Sequence, residues 1–170
     1  MFFNSMQARL SAARTQDEAT ADSLGERSRA DILNAAAQCF MERGYTETSI
    51  DDVARRLNAT KGRVYHHFPS KADLFAGIFR AGMDMDYAAI AEARGQKGPA
   101  LPRLRAMARA HCRQIIVSRP YQRVVWQGVT MLLRGATTPK LRDKLVELSD
   151  YRDAYERLFR DEIARARSEG

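Results

Sequence analysis

Only two cysteines, Cys39 and Cys112, occur in 170 residues. Two are too few for a disulfide framework and suit a reducing compartment. Five prolines and ten glycines exclude collagen-like or low-complexity character. No apolar run approaches the roughly 20 residues that a membrane span needs. The amino-terminal Met1-Phe2-Phe3 turns polar at once, leaving no signal-type apolar segment. A cytoplasmic location without membrane contact is therefore expected. Alternating β-branched runs, the mark of strands, are missing. So are a phosphate-binding glycine loop, a nucleophile elbow, metal-ligand spacing and a paired-cysteine redox motif. Asp84 and Asp86 sit two apart on a helical pattern and do not face one another. Catalysis, a metal and a cofactor are not expected.

What the chain does have is apolar residues, at 45%, and positive charge, at +7. The apolar share is enough to bury a core. The excess charge points to an anionic partner, a nucleic acid or an anionic ligand. Arginine outnumbers lysine 23 to 5, which supplies planar, bidentate anion contacts. The charge is unevenly spread. Residues 28–75 carry seven basic and six acidic groups, whereas residues 76–170 carry 18 and 11.

Helical periodicity runs through most of the sequence. The first clear helix spans about Ser28 to Arg43, with Ile32, Leu33, Ala36, Ala37 and Phe40 as its apolar stripe. Ser28 is expected at its N-cap and Gly44 just past its end. A short helix capped by Thr48 or Ser49 follows, with Ile50, Val53, Ala54 and Leu57 facing inward. Thr60 caps a third, Lys61 to about His67, stopped by Pro69. A fourth starts at Ser70 and runs to about Arg94. Longer helices are expected over about Pro102–Ser118, Tyr121–Leu133 and from Lys140 onward. The fold class is all-α: a three-helix helix-turn-helix unit followed by a helical bundle. Residues 1–27 are expected to form a flexible arm, 28–75 the helix-turn-helix domain, and 76–170 the bundle.

Two short helices joined by a tight turn and packed on a preceding helix make the anatomy of a helix-turn-helix DNA reader. On the third helix Val64 and Phe68 share the core face. Gly62, Arg63 and His66 then point away, Tyr65 sits at the flank, and Lys61 reaches out from the first turn. The glycine lets a backbone approach a phosphate or base edge closely. Tyr65 has a second reading as a half-buried core aromatic. A metal at His66-His67 is disfavoured, because neighbours on a helix point about 100° apart.

The residues make the pattern specific. The run Arg29-x-x-Ile32-Leu33-x-Ala35-Ala36-x-x-x-Phe40-x-x-x-Gly44-Tyr45-x-x-Thr48-Ser49-Ile50-x-Asp52-Val53-Ala54 resembles the amino-terminal domain of the TetR/AcrR family of transcriptional regulators. Its continuation, Thr60-Lys61-Gly62-x-Val64-Tyr65-x-His67-Phe68-x-Ser70-Lys71-x-Asp73-Leu74, is similar to that domain's recognition helix and the entry to its fourth helix. The resemblance implies a DNA-binding set of Thr48, Thr60, Lys61, Gly62, Arg63, Tyr65, His66, His67 and Lys71. Within it, Thr48, Tyr65 and Lys71 would hold phosphates. Asn58 stands where the family often has glycine, and asparagine is the next residue to tolerate the left-handed region.

The same resemblance implies a ligand-responsive repressor that binds a near-palindromic operator in double-stranded DNA as a homodimer. The segment from Arg119-Pro120 to Trp126, with Tyr151-Arg152-Asp153-x-Tyr155-Glu156, looks more loosely like family members tied to fatty-acid or sterol breakdown. That likeness implies an acyl-CoA-like effector, or another apolar or anionic ligand. It would be held by Met107, Trp126 and Tyr155 with Arg109, Arg113 and Arg123 nearby. On their own chemistry these arginines have a plainer reading, as stems covering the bundle with their heads in water. His111 likewise reads first as a satisfied core histidine, and Cys39 and Cys112 as small hydrophobes. The family usually continues for about two more helices, often the dimer interface. The alternative function is thus a sensor or interaction protein of the same fold that has lost operator binding.

Overall fold

The computed structural model describes residues 24–170 in full and residues 2–23 as backbone only. The arm expected over 1–27 therefore lies, up to residue 23, outside the fully described residues. Seven helices follow one another: α1 (Phe2–Glu47), α2 (Ile50–Arg56), α3 (Lys61–His67), α4 (Lys71–Gly95), α5 (Ala100–Val117), α6 (Arg119–Leu133) and α7 (Pro139–Ser168). No strand occurs among the described residues.

The punctuation follows local chemistry. Gly44, at φ 80 and ψ 174, breaks the helical path inside α1, a conformation open to a residue without Cβ. Ser49, rather than Thr48, caps α2. Its hydroxyl accepts from the Asp52 amide at 3.1 Å, and Asp52 Oδ2 accepts from the Ser49 amide at 2.9 Å, a reciprocal capping box. Asn58 turns the chain between α2 and α3 at φ 50, as its tolerance of the left-handed region led one to expect. Phe68, ahead of Pro69, is extended at φ −135 and ψ 102.

Ser28 does not cap a helix. It lies inside α1, whose backbone is already helical before it, and its hydroxyl points toward α3 instead. The other helix limits fall within a few residues of the periodicity.

α4 is the central element and packs on α1, α5, α6 and α7. It runs unbroken through the boundary expected at 75/76. Its first turns close the amino-terminal core, where Phe75 meets Phe40 and Tyr45 edge-on with centroids 5.3 and 5.0 Å away. One turn on, Phe79 fills the bundle core against α6. A Cβ on Gly128 would fall 2.7 Å from the Phe79 ring and 3.0 Å from Leu145, so α6 can approach α4 and α7 this closely only at a glycine. The buried apolar residues form one continuous cluster across both parts, and each large side chain in it contributes about 1.5–3 kcal/mol.

Candidate functional site

The α2–α3 unit is held by charged pairs that tie it together and to α1. Arg56 grips Glu42 of α1 with two hydrogen bonds of 2.9 and 2.5 Å. Asp52 accepts from Arg43 and Arg55 at 3.0 and 3.1 Å. The bonds from the Ser49 hydroxyl and amide, with these cations, hold the Asp52 carboxyl well below its usual range. Lys61 reaches back to Asp51 at 2.8 Å, which fixes α3 against α2.

On α3 the inward residues are Val64, fully buried, and Phe68 just beyond. Thr60 caps the helix by accepting from the Arg63 amide at 3.3 Å. Lys61, Gly62, Arg63, Tyr65 and His66 are exposed. Tyr65 is 43% exposed, so the core-aromatic reading does not hold. A Cβ at Gly62 would meet only Thr60 Oγ1, at 3.8 Å. Nothing among the described residues demands a glycine there.

Two expected phosphate ligands face the other way. Thr48 is 1% exposed, and the single proton of its hydroxyl is shared between the carbonyls of Gly44 at 2.7 Å and Cys39 at 3.2 Å. The Lys71 ammonium donates to the carbonyls of Tyr45, Thr46 and Thr48 at 2.9, 3.2 and 3.0 Å. It also lies 4.5 Å from the centre of the Tyr45 ring. An ammonium has three protons, and all three are committed. Both residues donate to backbone carbonyls around the break at Gly44, a role that sequence spacing cannot display. His67 is only partly exposed. Burial, then His66, Arg63 and Arg29, push its ring below the ordinary histidine range.

Ser28 is the residue that sequence reasoning missed. Its hydroxyl accepts from Arg63 Nε at 3.1 Å and lies 3.1 Å from His67 Nε2. A serine on α1 thus aims an arginine on α3. Arg29, next to it, covers the Phe68 ring at 5.1 Å. No sequence signal marks either role, because both depend on where α3 crosses α1.

A second site lies in the bundle. A cavity of about 370 Å³ opens between α4, α5, α6 and α7. Trp126 and Tyr155, two of the residues expected at an effector, line it, together with His111 and Gln122. Tyr155 Oη lies 2.9 Å from His111 Nδ1, and burial pushes the His111 ring down and the Tyr155 hydroxyl up. The remaining expected residues are elsewhere. Met107 is fully buried in the core, and Arg109 and Arg113 are exposed and absent from the lining. On α5, residues 109 and 113 lie about 200° from His111. Arg123 lines a neighbouring groove beside Tyr45 and Arg134. What the cavity holds instead is a buried carboxylate, Asp86, 3% exposed, which accepts from Gln122 Nε2 at 2.9 Å. Burial raises Asp86 to about 6.

α6 connects the two sites. One face lines the cavity through Gln122, Val125 and Trp126. Elsewhere on it, Tyr121 Oη donates to Asn34 Oδ1 at 2.6 Å and Gln127 Nε2 to the Phe40 carbonyl at 2.9 Å. Both acceptors are on α1, the helix against which α2 and α3 are held.

Among the described residues, no cluster of three or more His, Cys, Asp or Glu side chains suits a metal. No described helix is long and apolar enough to cross a membrane.

Residues 32–78 match the family model described as bacterial regulatory proteins, tetR family. The HTH-type transcriptional regulator AcrR of Shigella flexneri is 34% identical over 68 residues, 40% of this chain and 29% of that protein. The matched stretches span under a third of the first curated relatives. Solved structures match more of the chain. The TetR family transcriptional regulator PfmR of Thermus thermophilus is 30% identical, with a TM-score of 0.66, covering 82% of this chain and 71% of that one. AibR, solved with isovaleryl coenzyme A and operator DNA, is 24% identical with a TM-score of 0.65 over 84% of this chain and 74% of that one. At that identity AibR shows the fold alone.

Proposed function

The chain belongs to the TetR family of bacterial regulatory proteins, and from that premise we propose that it is a DNA-binding transcriptional regulator, a ligand-responsive repressor. The observation that carries this reading is the outward face of α3. Lys61, Arg63, Tyr65 and His66 surround a glycine that no contact among the described residues requires. Arg63, aimed by Ser28, offers a planar fork suited to a guanine edge or a phosphate. Tyr65 offers a hydroxyl and a ring to backbone and thymine methyl. A homodimer places two such helices roughly 34–36 Å apart in successive major grooves of a near-palindromic operator.

Effector control runs through α6. A ligand in the bundle cavity touches Gln122, Val125 and Trp126, while Tyr121 and Gln127 hold α1. A ligand that prefers one setting of α6 therefore biases the spacing of the two recognition helices, by no more than its differential affinity for the two states.

Selection from a random duplex pool tests the reading without assuming an operator sequence. The wild-type chain enriches an inverted repeat. The Arg63→Ala variant loses preference at one position per half-site, about 1–3 kcal/mol, with unchanged thermal stability. A pool left unenriched by the wild-type chain would remove the proposal.

A further inference from the structure

The cavity's charge is opposite to that of the protein around it. Two carboxylates face it, Asp86 from α4 and Glu156 from α7. The other ionisable groups in the lining are His111 of α5 and Arg152 and Tyr155 of α7; α6 lines it with no charged side chain. Burial pushes the His111 ring below the ordinary histidine range, which disfavours its charged form. The Arg152 guanidinium is engaged by Glu156 and, at 3.7 Å, by Asp153. Asp86 has no ion pair among the described residues, and Gln122 is its sole hydrogen-bond donor there. Only Oδ1 of this carboxylate carries a hydrogen bond among the described residues, and since its two oxygens can take about four bonds it has acceptor capacity to spare at the cavity wall.

An anion entering this space meets two carboxylates and one committed cation. A cation meets a carboxylate without an ion pair, in a lining that also holds the aromatic side chains Trp126 and Tyr155. The rest of the wall is apolar, through Met83, Ile115, Val125 and Val129. The volume, about 370 Å³, lies at the small end of ligand cavities, which run from about 300 to 1,000 Å³.

We propose that the cavity binds a compact organic ammonium ion, with its N–H donors on Asp86 and its apolar body against Met83, Val125 and Trp126. The proposal rests on the cavity being the effector site and names the ligand class it takes. The acyl-CoA-like or other anionic class implied by the looser sequence resemblance is its direct rival.

Trp126 is the only tryptophan and lines the cavity, so its fluorescence reports occupancy. The purified chain is titrated with phenethylammonium, phenethyl alcohol and phenylacetate, which share a ring and differ in head-group charge. Phenethylammonium saturates the signal and binds about tenfold or more tightly than phenylacetate, an advantage that Asp86→Asn abolishes while the alcohol still binds. In the wild-type chain the ammonium affinity falls as pH drops below about 6, because Asp86 gains a proton. That measurement stands even if the variant folds poorly. Phenylacetate binding as tightly as phenethylammonium, an unchanged ammonium affinity in a folded Asp86→Asn chain, or no binding by any probe overturns the proposal. No DNA is present, so such a failure leaves the regulator reading intact. A bound ammonium that leaves DNA affinity unchanged would instead remove the effector role and keep the ligand class.

Discussion

The α1–α3 head and the α4–α7 body differ in whether they bury carboxylates. In the head, charges lie at the surface and pair with near neighbours: Arg56 with Glu42, Lys61 with Asp51, Arg43 and Arg55 with Asp52. The body also pairs charges at its surface, Arg160 with Glu156 and Lys144 with Asp73 among them, but it buries two carboxylates, Asp86 at the cavity and Glu162 against Arg103, with both partners of that pair 9% exposed. Net charge and outward shape thus point to different places. The near-neutral head carries the outward, correctly shaped helix, and the basic body encloses an acidic cavity.

Four substitutions probe that comparison, from the largest expected effect on stability to the smallest. Phe75→Ala removes a ring shared by both regions through α4 and costs about 3–5 kcal/mol. Because the core is continuous, head and body unfold in one transition, seen as coincident melting by circular dichroism and Trp126 fluorescence. Separate transitions would mean that the regions are independent.

Glu162→Ala leaves the buried Arg103 guanidinium without its charge partner, at a cost of about 3 kcal/mol. The two remaining bonds of Arg103, to the Gln96 and Gly98 carbonyls at 3.0 and 3.1 Å, soften the loss. A denaturant titration reads it.

Lys71→Met keeps the stem and removes the ammonium that satisfies three carbonyls, for a loss of about 1–3 kcal/mol. The log–log salt dependence of DNA binding keeps its slope, because Lys71 holds the α1–α2 corner rather than a phosphate. A slope reduced by about one would place Lys71 on the DNA after all.

Asp86→Asn has the opposite sign. The folded carboxyl, raised to about 6, binds its proton more tightly than the unfolded one at about 3.9. The native state thus holds more protons across that interval, and wild-type stability falls as pH rises from about 4 to 6. The variant lacks that fall and melts about 2–4 °C above wild type at pH 7 for each kcal/mol regained.

Much of this architecture was legible in the sequence. Caps and breakers set the helix limits, and helical spacing put Val64 and Phe68 inward and Lys61, Gly62, Arg63 and His66 outward. What was not legible depends on partners distant in the chain. Ser28 looks like an N-cap until α3 is seen crossing it. Lys71 and Thr48 look like phosphate ligands until the carbonyls around the break at Gly44 are in view. In the body, Arg109 and Arg113 share a face as their spacing requires, but that face is not the one turned to the cavity. Asp86 gave no signal, since a single carboxylate on an amphipathic helix is ordinarily at the surface.

The most direct measurement of the central claim is a hydroxyl-radical footprint of the wild-type chain on its selected duplex. Two protected segments centred about 10 base pairs apart and related by two-fold symmetry are expected, with methylation interference in the major groove of each half-site. Protection spread evenly along the duplex, unaffected by Arg63→Ala, would contradict recognition through α3.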